Sequence, residues 1–190
     1  MAKYLRKLGD NMRLGVYVGS FNPPHKGHIS LVNYLLDNNV VDKVLIIPTG
    51  NYWDKQDLVP LEHRINMLKF YESKNVLVDT VNNNYPYTYQ LMRKLTTDYP
   101  EDTLHLIMGA DNIINFNKWK EYHELLGYNI IILNRDDVDI DKYIKNFPEG
   151  HFTILKDFCY DISSTELREN LNSQHLDKPV LQYIKKHHLY

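Results

Sequence analysis

Cysteine is nearly absent. Cys159 stands alone among 190 residues, which excludes an internal disulfide framework and fits a reducing compartment. Long apolar runs are missing too: none approaches the roughly 20 residues that a membrane-spanning helix requires. The opening 13 residues hold no apolar core of the kind a secretion signal carries. A cytoplasmic protein with no membrane partner is therefore expected. Charge of one sign is also lacking. The 22 Lys and Arg against 24 Asp and Glu leave a formal net charge of −2, and the basic residues form no long stripe. A nucleic-acid partner is not expected on that balance. No internal repeat or low-complexity tract interrupts the chain. What remains is an ordinary globular composition, 43% hydrophobic and 24% charged, long enough for one domain with a substantial core. We read 1–13 as an N-terminal extension and 14–190 as that domain; a homo-oligomer is compatible with this composition.

Six short apolar runs, at 14–18, 44–47, 76–78, 104–108, 130–133 and 153–155, place apolar residues at successive positions. Strands covered on both faces read this way. Between them, 29–37, 61–71, 87–95, 119–126 and 140–146 have the spacing of amphipathic helices, weakest at 119–126. Two further helices are expected in the last third. One follows Ile162, and one spans 179–187, where Pro179 suits a helix start. This alternation predicts an α/β fold: a doubly wound, mostly parallel sheet with C-terminal helices. Ligands of such sheets bind outside the carboxyl ends of the strands. Four polar segments leave strands at that edge: the loop with His25 and His28, then 50–57, 82–86 and 109–111.

The most informative stretch is 15–28, GVYVGSFNPPHKGH. A strand runs into a Gly-Ser-Phe turn, two prolines follow, and His25 and His28 flank Lys26 and Gly27 just before a helix. Exposed N–H groups and the positive dipole end of a helix start favour a phosphate, and the two imidazoles are spaced to donate to the same polyphosphate. Lys26 adds an optional charge. A bare HxxH spacing fits helix capping, but strand, turn, proline pair and helix in this order favour the anion site. A closed zinc site is not expected, because two imidazoles are too few and Cys159 brings no cluster.

Residues 161–168, DISSTELR, repeat the theme. Ser163 or Ser164 can cap a helix whose first turn holds Thr165, and Arg168 projects from the same short helix with a fork suited to phosphate. The alternative is a plain capping box with a surface arginine. In the segment MGADN, Gly109 admits a close backbone approach, and Asp111 can accept either from a ribose hydroxyl or from helix amides. Trp119 fits a core position or a flat surface for a heterocycle.

The HxGH and ISSTxxR pieces resemble the signatures of the HxGH nucleotidyltransferase superfamily. The resemblance narrows along the chain. Gly109-Ala110-Asp111, Phe116, Trp119 and Leu125–Leu126, with Tyr87-Thr88 and the ending VLQYIKKHHLY, look like the bacterial nicotinate-mononucleotide adenylyltransferase family. It extends from about Leu14 to Tyr190. Two departures stand out: Asn22 replaces a usual Asp, and 49–64 looks more like the nicotinamide or dual-specificity enzymes. The resemblance implies a Rossmann-like nucleotidyltransferase fold and AMP transfer from ATP to a pyridine mononucleotide, the acid favoured over the amide, with Mg²⁺. It implies that His25, His28 and Arg168 act on the ATP phosphates. Gly19, Ser20, Phe21, Asp111, Ser163, Ser164 and Thr165 are the expected ATP-binding set, and Tyr87, Thr88 and Trp119 the pyridine-binding set. The competing expectations are a phosphopantetheine adenylyltransferase and a non-catalytic nucleotide-binding regulator.

Overall fold

Each apolar run forms a strand: β1 (Arg13–Gly19), β2 (Lys43–Pro48), β3 (Val76–Val78), β4 (Thr103–Gly109), β5 (Asn129–Leu133) and β6 (His151–Leu155). The computed structural model describes residues 11–50, 58–134, 138–158, 167–168 and 174–190. The strands lie in the order β3-β2-β1-β4-β5-β6, and every adjacent pair is parallel. The doubly wound expectation holds among the described residues.

Both sheet faces are covered, which is why the strands are apolar at successive positions. Leu14, Val16, Leu106, Met108, Ile130 and Ile132 pack on one face. There they meet α3 (Thr88–Asp98), α4 (Ala110–Ile114), α5 (Tyr122–Leu125) and α6 (Ile140–Ile144). Val44, Ile46, Ile107 and Ile131 face the other way, against Leu31, Val32 and Leu35 of α1 (Lys26–Asp37) and Leu68 of α2 (Leu61–Leu68). A smaller cluster joins Met67 to Val180 and Ile184 of α7 (Lys178–His187). Pro179 sits in the first turn of that helix, where its missing N–H costs nothing.

Two expected helices change form. The run 61–71 is α-helical to Leu68 and tightens to a 3₁₀ turn over Lys69–Tyr71. The stretch expected at 119–126 is helical only over the short α5: Trp119 is extended after a 3₁₀ turn at Phe116–Lys118, and Glu121 adopts a left-handed φ of 53° just before α5. Of the helix expected after Ile162, only Leu167 and Arg168 are among the described residues, and both are helical.

At the carboxyl edge, the segment after β3 is held by its own side chains. The Asp79 carboxylate accepts from the Val81 and Asn82 N–H groups and from the Asn82 amide, each at 2.7 Å. Asn83 donates to the Pro48 carbonyl at 2.7 Å, and the Gly50 N–H donates to the Asn83 carbonyl at 3.0 Å. The ends of β2 and β3 are thereby locked together. Asp79→Ala removes all three bonds from a buried loop. We expect a loss of about 2 kcal/mol in a urea melt; an unchanged midpoint would show that water replaces the carboxylate.

Candidate active site

The strand order reverses between β1 and β4, and in sheets of this kind the crevice for ligands opens at that reversal. Tyr17 pairs with Ile107, so two residues on, Gly19 and Gly109 end their strands side by side. A Cβ on Gly109 would meet only the tip of the exposed Asp111 carboxylate, which can swing aside. Asp111 itself is exposed in the first turn of α4 and accepts from the Asn112 amide at 3.4 Å.

The turn after Gly19 is the most constrained part of the rim. Phe21 has a left-handed φ of 47°, which costs a non-glycine residue roughly 1–2 kcal/mol. Its ring offsets this by burial: it is 1% exposed, packs edge-on to Tyr17 at 5.2 Å, and fills the space over Gly19. The Phe21 side chain is therefore part of the core. Asn22, 0% exposed, follows, joined to Pro23 by a cis peptide bond.

His25 is the N-cap of α1 and His28 its third residue, so the helix starts three residues earlier than expected. The imidazoles stack with ring centroids 3.6 Å apart, and Phe21 meets the His28 ring edge-on at 4.9 Å. His25 is 4% exposed; His28 is half-buried. The His25 backbone N–H donates to Nδ1 of His28 at 3.1 Å. An accepting Nδ1 carries no proton, so the neutral ring holds its proton on Nε2 as a donor. Lys26 serves otherwise than expected. Its N–H and Nζ bind the His175 and Gln174 carbonyls at 2.9 and 2.8 Å. This fastens the start of α1 to the segment before α7.

Arg168, expected on a phosphate, donates through Nη1 to the Asn22 carbonyl at 2.8 Å. It thus reaches the turn that carries the histidines. Ser163, Ser164 and Thr165 lie outside the described residues, as does 51–57.

Sequence reasoning missed Arg64. It is 0% exposed and donates to the Ser20 carbonyl at 2.7 Å and the Val59 carbonyl at 2.9 Å. Burial pulls its guanidinium below the ordinary value. A signal was there: Leu61, Arg64 and Met67 or Leu68 share the apolar spacing of α2, so the arginine sits on the stripe that must be buried.

Tyr87 caps α3, with Thr88 as its first residue. Trp119 is half-buried and packs 5.5 Å from Phe116, on the margin of the core. Lys120 links the two segments, its ammonium 4.6 Å from the centre of the Tyr87 ring. A two-pronged Arg93–Glu124 ion pair at 2.6 Å ties α3 to α5. The structure thus brings the Tyr87 and Trp119 segments together.

Residues 16–170 match the cytidylyltransferase-like family. A curated relative from Acholeplasma laidlawii, named "probable nicotinate-nucleotide adenylyltransferase", is 35% identical over 184 residues, covering 92% of this chain and 96% of its own. One of the same name from Fusobacterium nucleatum is 32% identical, covering 94% and 100%. Among solved structures, the Plasmodium falciparum nicotinic acid mononucleotide adenylyltransferase complexed with NaAD superposes with a TM-score of 0.79. It is 22% identical and covers 94% of this chain and 97% of that one.

The bond between His25 N–H and His28 Nδ1 has a direct spectroscopic consequence. Nitrogen-15 shifts of His28 at neutral pH should report the Nε2–H tautomer. Finding the proton on Nδ1 would show that the turn is arranged differently in solution.

Proposed function

The chain belongs to the nicotinate-nucleotide adenylyltransferase family, and from that membership we propose how its own residues transfer AMP from ATP to nicotinate mononucleotide. The products are deamido-NAD and pyrophosphate, a step of NAD biosynthesis. The observation that carries the reading is the match to relatives of that name along nearly the whole chain.

A phosphate oxygen of the mononucleotide attacks the α-phosphorus of ATP in line. A new P–O bond forms, the α–β bridging P–O bond breaks, and pyrophosphate takes the electron pair. No side chain becomes a covalent nucleophile. Catalysis comes from holding the two phosphates in line and from donors aimed at the charge that moves onto the leaving group.

His28 is suited to that task. Its Nδ1 is occupied by the His25 N–H, which fixes the ring and leaves Nε2–H to donate to the polyphosphate. His25, packed against it, holds the ring and contributes from the helix start. Arg168 adds positive charge at the same turn while its Nη1 grips the Asn22 carbonyl. Gly19, Ser20 and the Phe21 backbone line the approach to the phosphates; Ser163, Ser164 and Thr165, outside the described residues, are assigned to ATP by the sequence signature alone. Asp111 accepts from the nucleoside. Tyr87, Thr88 and Trp119 receive the pyridine mononucleotide.

A divalent cation fits this donor set only as a passenger on ATP. Among the described residues no three His, Cys, Asp or Glu side chains gather into a metal cage. Mg²⁺ would then be held by phosphate oxygens and water, as it prefers. Its contribution when bound is to neutralise polyphosphate charge. The near absence of cysteine and of apolar runs supports a cytoplasmic enzyme acting on small molecules.

Pyrophosphate release should be measured with ATP and, in turn, nicotinate mononucleotide, nicotinamide mononucleotide and phosphopantetheine. We expect turnover with the pyridine substrates and a modestly higher kcat/KM for the acid. No release with either pyridine substrate would overturn the reading, and an equal or better amide substrate would overturn the preference. His28→Ala should lower kcat by about 10²–10³, the usual cost of losing an oriented donor to developing charge. Its denaturant midpoint should move by no more than about 1 kcal/mol, the worth of a helix cap. Unchanged turnover in the folded variant would remove His28 from the catalytic set.

A further inference from the structure

We propose that Tyr190 is a positioning residue for the ATP-binding turn and acts on it through Asn22. The proposal rests on the reading above, in that the turn after β1 is taken to hold the ATP phosphates.

Asn22 is a hub. It is fully buried at the centre of the turn between Gly19 and His25. Its Oδ1 accepts from the Val59 N–H at 3.1 Å and from the Tyr190 hydroxyl at 2.7 Å, while its backbone carbonyl accepts from Arg168 at 2.8 Å. Arg64 closes the circuit by donating to both the Val59 and Ser20 carbonyls. Four segments distant in sequence thus meet at one residue, and Tyr190 comes from 168 positions away.

The tyrosine is brought there by construction. Helix α7 is anchored on α2 by Val180 and Ile184, and by the Tyr183 hydroxyl, which pairs with His63 Nδ1 at 3.0 Å and accepts from the Asn66 amide at 3.2 Å. After α7 the backbone reverses at His188, φ 53°, and the Leu189 N–H returns to the Ile184 carbonyl at 3.1 Å. That reversal carries Tyr190 back to the turn. Burial pushes the Tyr190 phenol well above its ordinary range, against the pull of Arg64 and Arg168, so the hydroxyl stays a donor.

The consequence is local. Losing the hydroxyl removes one of the bonds that orient the Asn22 carboxamide, and with it a restraint on the backbone that aims His28 and meets Arg168. The segments carrying Tyr87 and Trp119 follow β3 and β4 and share no hydrogen bond with Tyr190 among those described. ATP parameters should therefore suffer while those of the mononucleotide do not.

Tyr190→Phe deletes the hydroxyl and keeps the ring. With each substrate varied in turn, kcat/KM for ATP should fall about tenfold, a loss of the size of one well-placed hydrogen bond. KM for nicotinate mononucleotide should stay within about twofold, and the melting temperature should drop by only a few degrees. A kcat/KM for ATP within about twofold of wild type, or equal losses for both substrates, would overturn the proposal. A double-mutant cycle with Asn22→Ala should give markedly less than additive losses, and additive losses would overturn it. If Asn22→Ala does not fold, Tyr190→Phe decides alone. A wild-type protein silent with both pyridine substrates would overturn the functional reading instead. ATP affinity of wild type and Tyr190→Phe by calorimetry then carries the test: a roughly tenfold weakening supports the proposal and equal affinity overturns it.

Discussion

The reversal of strand order between β1 and β4 is the constraint on which the rest of the molecule depends. On either side of it the chain leaves the sheet toward opposite faces, α1 to one and α4 to the other. The two strands end level, so Gly19 and Gly109 stand together with no side chain between them. A sheet covered on both faces has no other place for polar, ligand-facing backbone, since loops buried under helices would leave N–H and C=O groups unpaired. The pairing of these two strand ends is thus a consequence of how the sheet is wound.

The turn after β1 is held in an unfavourable shape by bonds from elsewhere. Phe21 sits in the left-handed region, Asn22 is entirely buried, and Arg64 spends a buried guanidinium on two carbonyl groups. An isolated peptide of this sequence would have no reason to adopt that form. In the folded protein, ring burial and charge-assisted bonds offset the cost. The return is a helix start whose His28 ring is fixed by its own backbone. A protein of net charge −2 can therefore concentrate donors at one point without a basic surface.

The loop after β3 and the segments of Tyr87 and Trp119 are built differently. The loop after β3 is tied by Asp79 and Asn83 to the ends of its neighbours, while Trp119 and Tyr87 rest on the core margin with Lys120 above the tyrosine ring. Polar bonds thus hold the loop, and ring packing holds the aromatic pair.

The sequence by itself determined the strands, the parallel winding and the histidine-bearing turn. Apolar residues at successive positions have no stable home except strands covered on both faces. The order strand, Gly-Ser-Phe, Pro-Pro, His-x-x-His likewise reads as a strand end, a tight turn and a helix start, and the structure has all three there. Helix ends were less legible: 119–126 breaks at Glu121, where a left-handed residue answers to packing rather than propensity. Only the tertiary structure decided the partners of polar groups. Lys26 turned to backbone carbonyls, Arg64 went inside, and Asn22 met Tyr190 from the far end of the chain. Hydrogen bonds between residues remote in sequence leave no periodicity to read. Their geometry exists only once hydrophobic burial has brought the segments together.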